Sequence, residues 1–241
     1  MPDFTNKTVL VTGGTGGIGG AFSIAFAKAG AHVIATGIGP ELDARRIDPD
    51  FAGIDIVELN VGDDDAVRAL AAATPKLDVL VNCAGVSATQ NPFDVETFQH
   101  TYDINMLGTL RMCTAFLPQL EASGAGAIVN TASMMSFLGT GTSPAYAASK
   151  GAVAQATKSM AIAWAPKNIR VNAIAPGWIN TPMSRAAIRS PEFQARIEQR
   201  TPMGRWGEPH HLAGPVLFLA SEDAAWVTGV ILPVDGGYLA A

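Results

Sequence analysis

The sequence predicts a single-domain, doubly wound α/β fold, with a mostly parallel sheet of about seven strands and helices on both faces. Three observations carry this. Short apolar runs alternate with longer amphipathic or Ala-rich runs along the chain. Most of the short runs are continuously apolar rather than alternating, as strands covered on both faces require. No Pro/Gly linker or shift in composition divides the 241 residues, so residues 1–241 are read as one domain.

Residues 9–11 read as the first strand and 18–29 as a helix stopped by Gly30. The second strand is 31–35 and the third 55–59. A helix over 63–73 follows, where Asp63, Asp64 and Asp65 suit the positive end of the helix dipole. The fourth strand, 77–81, runs into Asn82-Cys83-Ala84-Gly85. A helix over about 95–120 precedes the strand 127–131, and the long helix 145–165 ends at Pro166. Residues 170–174 and 230–234 are the last strands. Residues 181–209 hold Pro182, Pro191, Pro202, Pro209 and Trp206, and are placed outside the sheet as a helical excursion covering the substrate.

Composition excludes several function classes. Lys and Arg total 16 against 21 for Asp and Glu, a net charge of −5 with no basic run. Nucleic-acid binding loses its electrostatic driving force on such a chain. Two cysteines, Cys83 and Cys113, make no disulfide framework and no zinc spacing. No metal is expected: His210 and His211 are adjacent and point apart on a helix, and the aspartate run lacks calcium-loop spacing. Residues 1–10 contain Asp3 and Lys7 and read as mature chain rather than a leader. No uncharged apolar run reaches the roughly 18 residues of a membrane span. A cytoplasmic location without membrane or nucleic-acid partners is expected.

The first strand is followed by Thr12-Gly13-Gly14-Thr15-Gly16-Gly17-Ile18-Gly19-Gly20 and then a helix. Glycines permit a tight turn and close backbone approach to phosphate, and the helix start offers unpaired N–H groups. Gly14, Gly16 and Gly19 give one dinucleotide register, G-x-G-x-x-G. Gly13, Gly17 and Gly19 after Thr12 give a wider one, with Thr15 and Ile18 between them. Either reading makes the fold Rossmann-like and the ligand a dinucleotide whose pyrophosphate sits at the helix start. At the end of the second strand, where an acid reads NAD ribose and an Arg favours NADP, stand Gly37 and Ile38. Glu41, Asp43, Arg45 and Arg46 follow. The cofactor is NAD(H) or NADP(H), with a very slight lean to NAD(H).

Ser133 follows a strand by two residues, and Tyr146 and Lys150 lie at i and i+4 on the next helix. That spacing puts phenol and ammonium on one face. A nearby ammonium is expected to lower the phenol pKa, making Tyr146 an acid/base for an alcohol–ketone pair.

In Thr12-Gly13-x-x-x-Gly17-x-Gly19, Asn82-x-Ala84-Gly85, Asn105, Ser133, Tyr146-x-x-x-Lys150 and Pro176-Gly177 with Thr181, the chain resembles the short-chain dehydrogenase/reductase family over nearly its whole length. The resemblance implies an NAD(P)-dependent enzyme with Tyr146 as general acid/base and Ser133 orienting the carbonyl. Lys150 would also bond the nicotinamide ribose, and Asn105 would hold a relay water. It implies cofactor contacts at Asn60 and Val61, at Asn82, Ala84 and Gly85, and at Pro176, Gly177, Ile179 and Thr181. Asn60 departs from the aspartate common there, and Gly37 and Ile38 depart from both cofactor signatures. The family also implies a homotetramer, with residues 226–238 as its C-terminal segment. Met134, Met135, Trp178 and Met183 are read as substrate-pocket wall, which favours a small or medium hydrophobic alcohol or ketone. Acyl-chain ketoreductase, polyol dehydrogenase and cyclic-diol dehydrogenase all stay open. The rival reading is a nucleotide-sensing or scaffold protein on the same fold; the complete Asn105, Ser133, Tyr146 and Lys150 set argues for catalysis.

Overall fold

The computed structural model describes residues 2–241; Met1 and the side chains of Glu41 and Ala186 lie outside the description, and with them that part of the leader reading and of the ribose-acid reading. Seven strands form one all-parallel sheet: β1 (Thr8–Thr12), β2 (His32–Gly37), β3 (Asp55–Glu58), β4 (Val79–Asn82), β5 (Gly126–Thr131), β6 (Ile169–Pro176) and β7 (Ile231–Val234). Their order is β3-β2-β1-β4-β5-β6-β7. The chain reverses its winding between β1 and β4, so a crevice opens there beyond the carboxyl ends of the strands.

Helix α1 (Gly17–Lys28) covers one face, and Phe22 and Phe26 from it are fully buried against Val9, Val11 and Val81. The other face carries α3 (Asp64–Ala73), whose N-cap Asp63 accepts from the Asp65 and Ala66 amides at 3.0 Å. That is the helix start expected from the aspartate run. The long helix α7 (Pro144–Trp164) lies on the same face, with Met160 in the cluster of Leu10, Leu80 and Ile128.

Two helices lie where the residue pattern carries no periodic signal. One is the short α2 (Glu41–Arg46), whose side chains are mostly polar. The other is α10 (Ala213–Ala220), apolar on nearly every side and with Gly214 and Pro215 in its first turn. It packs against α1 and β5, so burial holds it where amphipathicity could not announce it. The single helix expected over 95–120 is three: α4 (Val95–Tyr102), α5 (Gly108–Ala115) and α6 (Leu117–Ala122). A wide π turn, Asp103–Leu107, separates the first two. Such turns recur at functional sites, and this one holds Asn105. The excursion contains α8 (Arg185–Ile188) and α9 (Pro191–Arg200), the latter capped by the Ser190 hydroxyl.

Candidate active site

The turn between β1 and α1 is built by exclusion of side chains. Gly13 has φ +62° and lies against the backbone of Ala84, where a Cβ would approach to 3.0 Å. A Cβ on Gly19 would stand 2.2 Å from the Gly13 carbonyl oxygen. Two side chains lock the turn: Thr12, which opens the glycine motif, and Ser23, which sequence reasoning did not single out. The Thr12 hydroxyl accepts from the amides of Cys83 and Ala84 at 3.1 Å, and the buried Ser23 hydroxyl donates to the Gly14 carbonyl at 2.9 Å. Gly16 is the N-cap of helix α1, which has no side-chain cap and no acid in its first turn. Its first N–H groups and partial positive charge are therefore uncompensated. Gly16 faces open space, and a Cβ on Gly17, which has φ +54°, would come no closer than 3.9 Å to Thr181 across the turn. This bare cradle between the turn and the segment after β6 fits a pyrophosphate. Ile18 is half-buried just behind it.

The end of β2 explains its missing acid. A Cβ on Gly37 would lie 2.2 Å from the Thr15 hydroxyl and 3.1 Å from Leu42. Thr15 is buried, and its carbonyl accepts a 2.7 Å bond from Arg45 Nε, while the same guanidinium pairs with Asp48 at 2.7 Å. Arg45 is thus fastened to the glycine turn, whereas Arg46 turns outward to Asp43. Ile38 is exposed. Asn60 Oδ1 accepts from the Gly62 amide at 2.9 Å and keeps one lone pair free; Val61 is buried beside it.

The catalytic candidates converge on the carboxyl ends of β4 and β5. Lys150 is only 4% exposed, and its Nζ donates to the Thr131 carbonyl at 2.6 Å. It lies 5.8 Å from the centre of the Tyr146 ring. Burial lowers its pKa to about 8, partly opposed by the Cys83 thiol. Burial pushes the Tyr146 phenol above its ordinary value, against the downward pull of the Ser133 hydroxyl. The expected lowering of Tyr146 by Lys150 is therefore corrected: desolvation outweighs the Ser133 hydroxyl, and Lys150, bonded to the Thr131 carbonyl, is not among the groups that shift the phenol. Ser133 also caps the turn Met134–Ser136, accepting from the Met135 amide at 3.1 Å.

Asn105 is fully buried and its amide is committed. Oδ1 accepts from the Val86 amide at 2.8 Å, and Nδ2 donates to the Val86 carbonyl at 3.0 Å and the Ser149 hydroxyl at 2.9 Å. A Cβ on Gly85 would sit 3.1 Å from Asn105 Oδ1 and 3.6 Å from Lys150 Nζ, so the glycine lets the loop touch both groups. Asn82 faces the interior, donating to Asn130 Oδ1 at 3.0 Å and Cys113 Sγ at 3.2 Å. Asn130 in turn donates to Thr157 at 2.9 Å. This buried amide chain ties β4, β5 and α7 together and was invisible in sequence, because its members are far apart along the chain.

Pro176 is buried at the end of β6, and Gly177 packs so closely on Asp235 that a Cβ would come within 2.6 Å of its Cα. Ile179 is buried against Gly207, so its side chain belongs to the core. Thr181 caps the turn that starts the excursion. A cavity of about 470 Å³ is lined by Met135, Thr142, Trp178, Phe193, Arg196 and Arg200, among others. Of the four residues read as pocket wall, Met135 and Trp178 line this cavity. Met134 does not: it is buried with Ile197, Trp206 and Tyr238. Met183 is 57% exposed and lies outside the wall. The two arginines were missed, because no periodic pattern says which face of α9 turns inward. Another cavity of about 500 Å³, lined by Lys7, Lys76 and Asp78, lies at the amino ends of the strands and touches none of these residues.

The model of the family described as Enoyl-(Acyl carrier protein) reductase matches residues 13–239. The chain belongs to the short-chain dehydrogenase/reductase family. It is similar to a 2-dehydro-3-deoxy-D-gluconate 5-dehydrogenase of Pseudoalteromonas atlantica, at 36% identity over 97% of this chain and 96% of that one. It is equally similar, 36% over 98% of both chains, to cis-4-hydroxycyclohexanecarboxylate dehydrogenase of Sinomonas cyclohexanicum. The crystal structure of a gluconate 5-dehydrogenase from Burkholderia cenocepacia, in complex with NADP and tartrate, superposes with a TM-score of 0.92 at 33% identity, covering 99% of this chain and 97% of that one. This short-chain dehydrogenase/reductase is an NAD(P)-dependent oxidoreductase that interconverts a secondary alcohol and a ketone. The scaffold reading is set aside.

Proposed function

We propose that Tyr146 moves the proton of this reaction, with Ser133 holding the substrate oxygen and Lys150 and Asn105 supplying the proton path. The carrying observation is the buried Lys150, bonded to the Thr131 carbonyl and 5.8 Å from the Tyr146 ring. A phenol raised by burial is protonated at neutral pH, which suits donation to a ketone oxygen. With a pKa of about 8, Lys150 takes up and releases a proton close to neutral pH. The free lone pair of Asn105 Oδ1, near Lys150 across Gly85, is what remains for a relay water.

A nicotinamide dinucleotide, when bound, supplies or accepts the hydride. The residues fit it. Gly13, Thr15, Gly17, Ile18 and Gly19 would cradle the pyrophosphate. Gly37, Ile38, Asn60, Val61, Asn82, Ala84 and Gly85 would border the adenosine half. Pro176, Gly177, Ile179 and Thr181 would border the nicotinamide half, with Tyr146 and Lys150. Residues 181–209 would cover the substrate. No acid among the described residues stands at the end of β2 to carry the lean toward NAD(H), and Arg45 on Thr15 gives NADP(H) an equal footing. The named relatives favour a polyol-type or cyclic alcohol over an acyl chain.

A cytoplasmic homotetramer is the proposed working form. Trp226 is 100% and Ile162 of α7 79% exposed, apolar surface of the kind that symmetric contacts cover. Among the described residues no helix is long and apolar enough to cross a membrane. The deciding experiment is Tyr146→Phe. Turnover should fall by about 10²–10⁴-fold while NADH or NADPH fluorescence on binding is kept; sustained turnover overturns the mechanism.

A further inference from the structure

The excursion over the crevice is electrostatically unlike the rest of the chain. Residues 181–209 carry five arginines against three glutamates, in a protein of net charge −5. Elsewhere every arginine is engaged. Arg45, Arg46, Arg68 and Arg111 pair with aspartates, and Arg170 donates to three carbonyls. Among the described residues, Arg196 and Arg200 have no carboxylate and no hydrogen-bond acceptor. Nearby acids are occupied: Glu198 accepts from Gln194 at 2.9 Å, and Asp235 accepts from the amides of Gly237 and Leu239 at 2.9 Å.

Both arginines line the cavity beside Met135 and Trp178. They lie at i and i+4 on α9, on one face with Phe193. Each guanidinium rests on an aromatic ring, Arg196 at 5.4 Å from the Phe193 centroid and Arg200 at 4.3 Å from that of Tyr238. Stacking fixes a guanidinium while leaving its in-plane N–H donors free. A wall meant only for apolar substrates has no use for two free forks.

We infer that Arg196 and Arg200 anchor a carboxylate, so that the substrates are small hydroxy acids and their oxo-acid partners rather than neutral alcohols. This rests on the proton transfer proposed for Tyr146 and Ser133, which adjoin the cavity through Met135, whose amide donates to the Ser133 hydroxyl at 3.1 Å. It replaces the hydrophobic substrate expected from the methionines. The planar, two-pronged geometry of guanidinium matches a carboxylate.

The test uses matched ketones: 4-oxocyclohexanecarboxylate and 4-oxopentanoate, each against its methyl ester. Wild type, Arg196→Gln, Arg200→Gln and the double variant are compared in kcat/KM with NADPH and NADH. Wild type should prefer each acid by about tenfold or more, mostly in KM, and the acid-to-ester ratio should collapse in the double variant. Arg200→Lys should restore the ratio only in part, because an ammonium keeps the charge without the fork. Cofactor fluorescence confirms that each variant is folded. Equal use of acid and ester by wild type, or a ratio unmoved in the double variant, overturns the inference. Calorimetry of 4-oxocyclohexanecarboxylate with Tyr146→Phe protein separates the two layers. Arginine-dependent binding without turnover of any ketone by wild type would sink the reaction and leave the anion site standing. Ester turnover with no preference for the acid would do the reverse, and neither binding nor turnover would sink both.

Discussion

The two ends of the crevice are made of different material. The end between β1 and β2 is backbone: Gly13, Gly19 and Gly37 leave no room for a Cβ, and Thr12 and Ser23 bind amides and carbonyls rather than ligand. The end under α9 is side chain: Met135, Trp178, Phe193 and two stacked arginines line an open cavity. On the proposed reading, backbone recognises what every dinucleotide shares, and side chains recognise what distinguishes one alcohol from another. The first end therefore announces itself by glycine spacing, and the second does not.

Substitutions on either side of the cavity wall should break this comparison most visibly. Met134 is buried in the cluster of Ile197, Trp206 and Tyr238, so Met134→Ala should cost about 2–5 kcal/mol of stability, read by chemical denaturation. Met135→Ala should instead change KM between substrates and leave the unfolding midpoint nearly in place. If the two variants behave alike, the wall has been drawn wrongly.

At the backbone end the loss should be smaller in stability and larger in binding. Gly19→Ala places a Cβ 2.2 Å from the Gly13 carbonyl, an overpacking worth about 1–3 kcal/mol. It should weaken NADH and NADPH together, since it distorts the shared pyrophosphate cradle. A change in only one of the two would show that the turn reads the ribose as well.

The gentlest probe is pH. Lys150 sits at about 8 in the folded protein against 10.5 as its ordinary value. Below about pH 8 both states hold the charge and the folded one bears its burial. Between 8 and 10.5 the unfolded chain binds the extra proton, so the free energy of unfolding should rise with pH. Above about pH 10 the raised Tyr146 acts the other way, because the unfolded phenol ionises first. Denaturation of Lys150→Met across this range should lack the rise; an unchanged slope would mean that Lys150 is not buried as a cation.

By itself the sequence determined the sheet, its parallel winding, the glycine cradle and the Ser133, Tyr146 and Lys150 order. These rest on local rules: apolar runs of strand length, glycines where no Cβ fits, and an i, i+4 spacing on one helix. Tertiary structure alone decided the rest. It broke the helix at Asn105 with a π turn, buried α10 despite its lack of periodicity, and reversed the expected shift of Tyr146 through desolvation. It turned Met134 inward, left Met183 outside, and brought Arg196 and Arg200 to the cavity. Each of these depends on which distant segment lies against which, and contact across the chain leaves no spacing in the sequence to read.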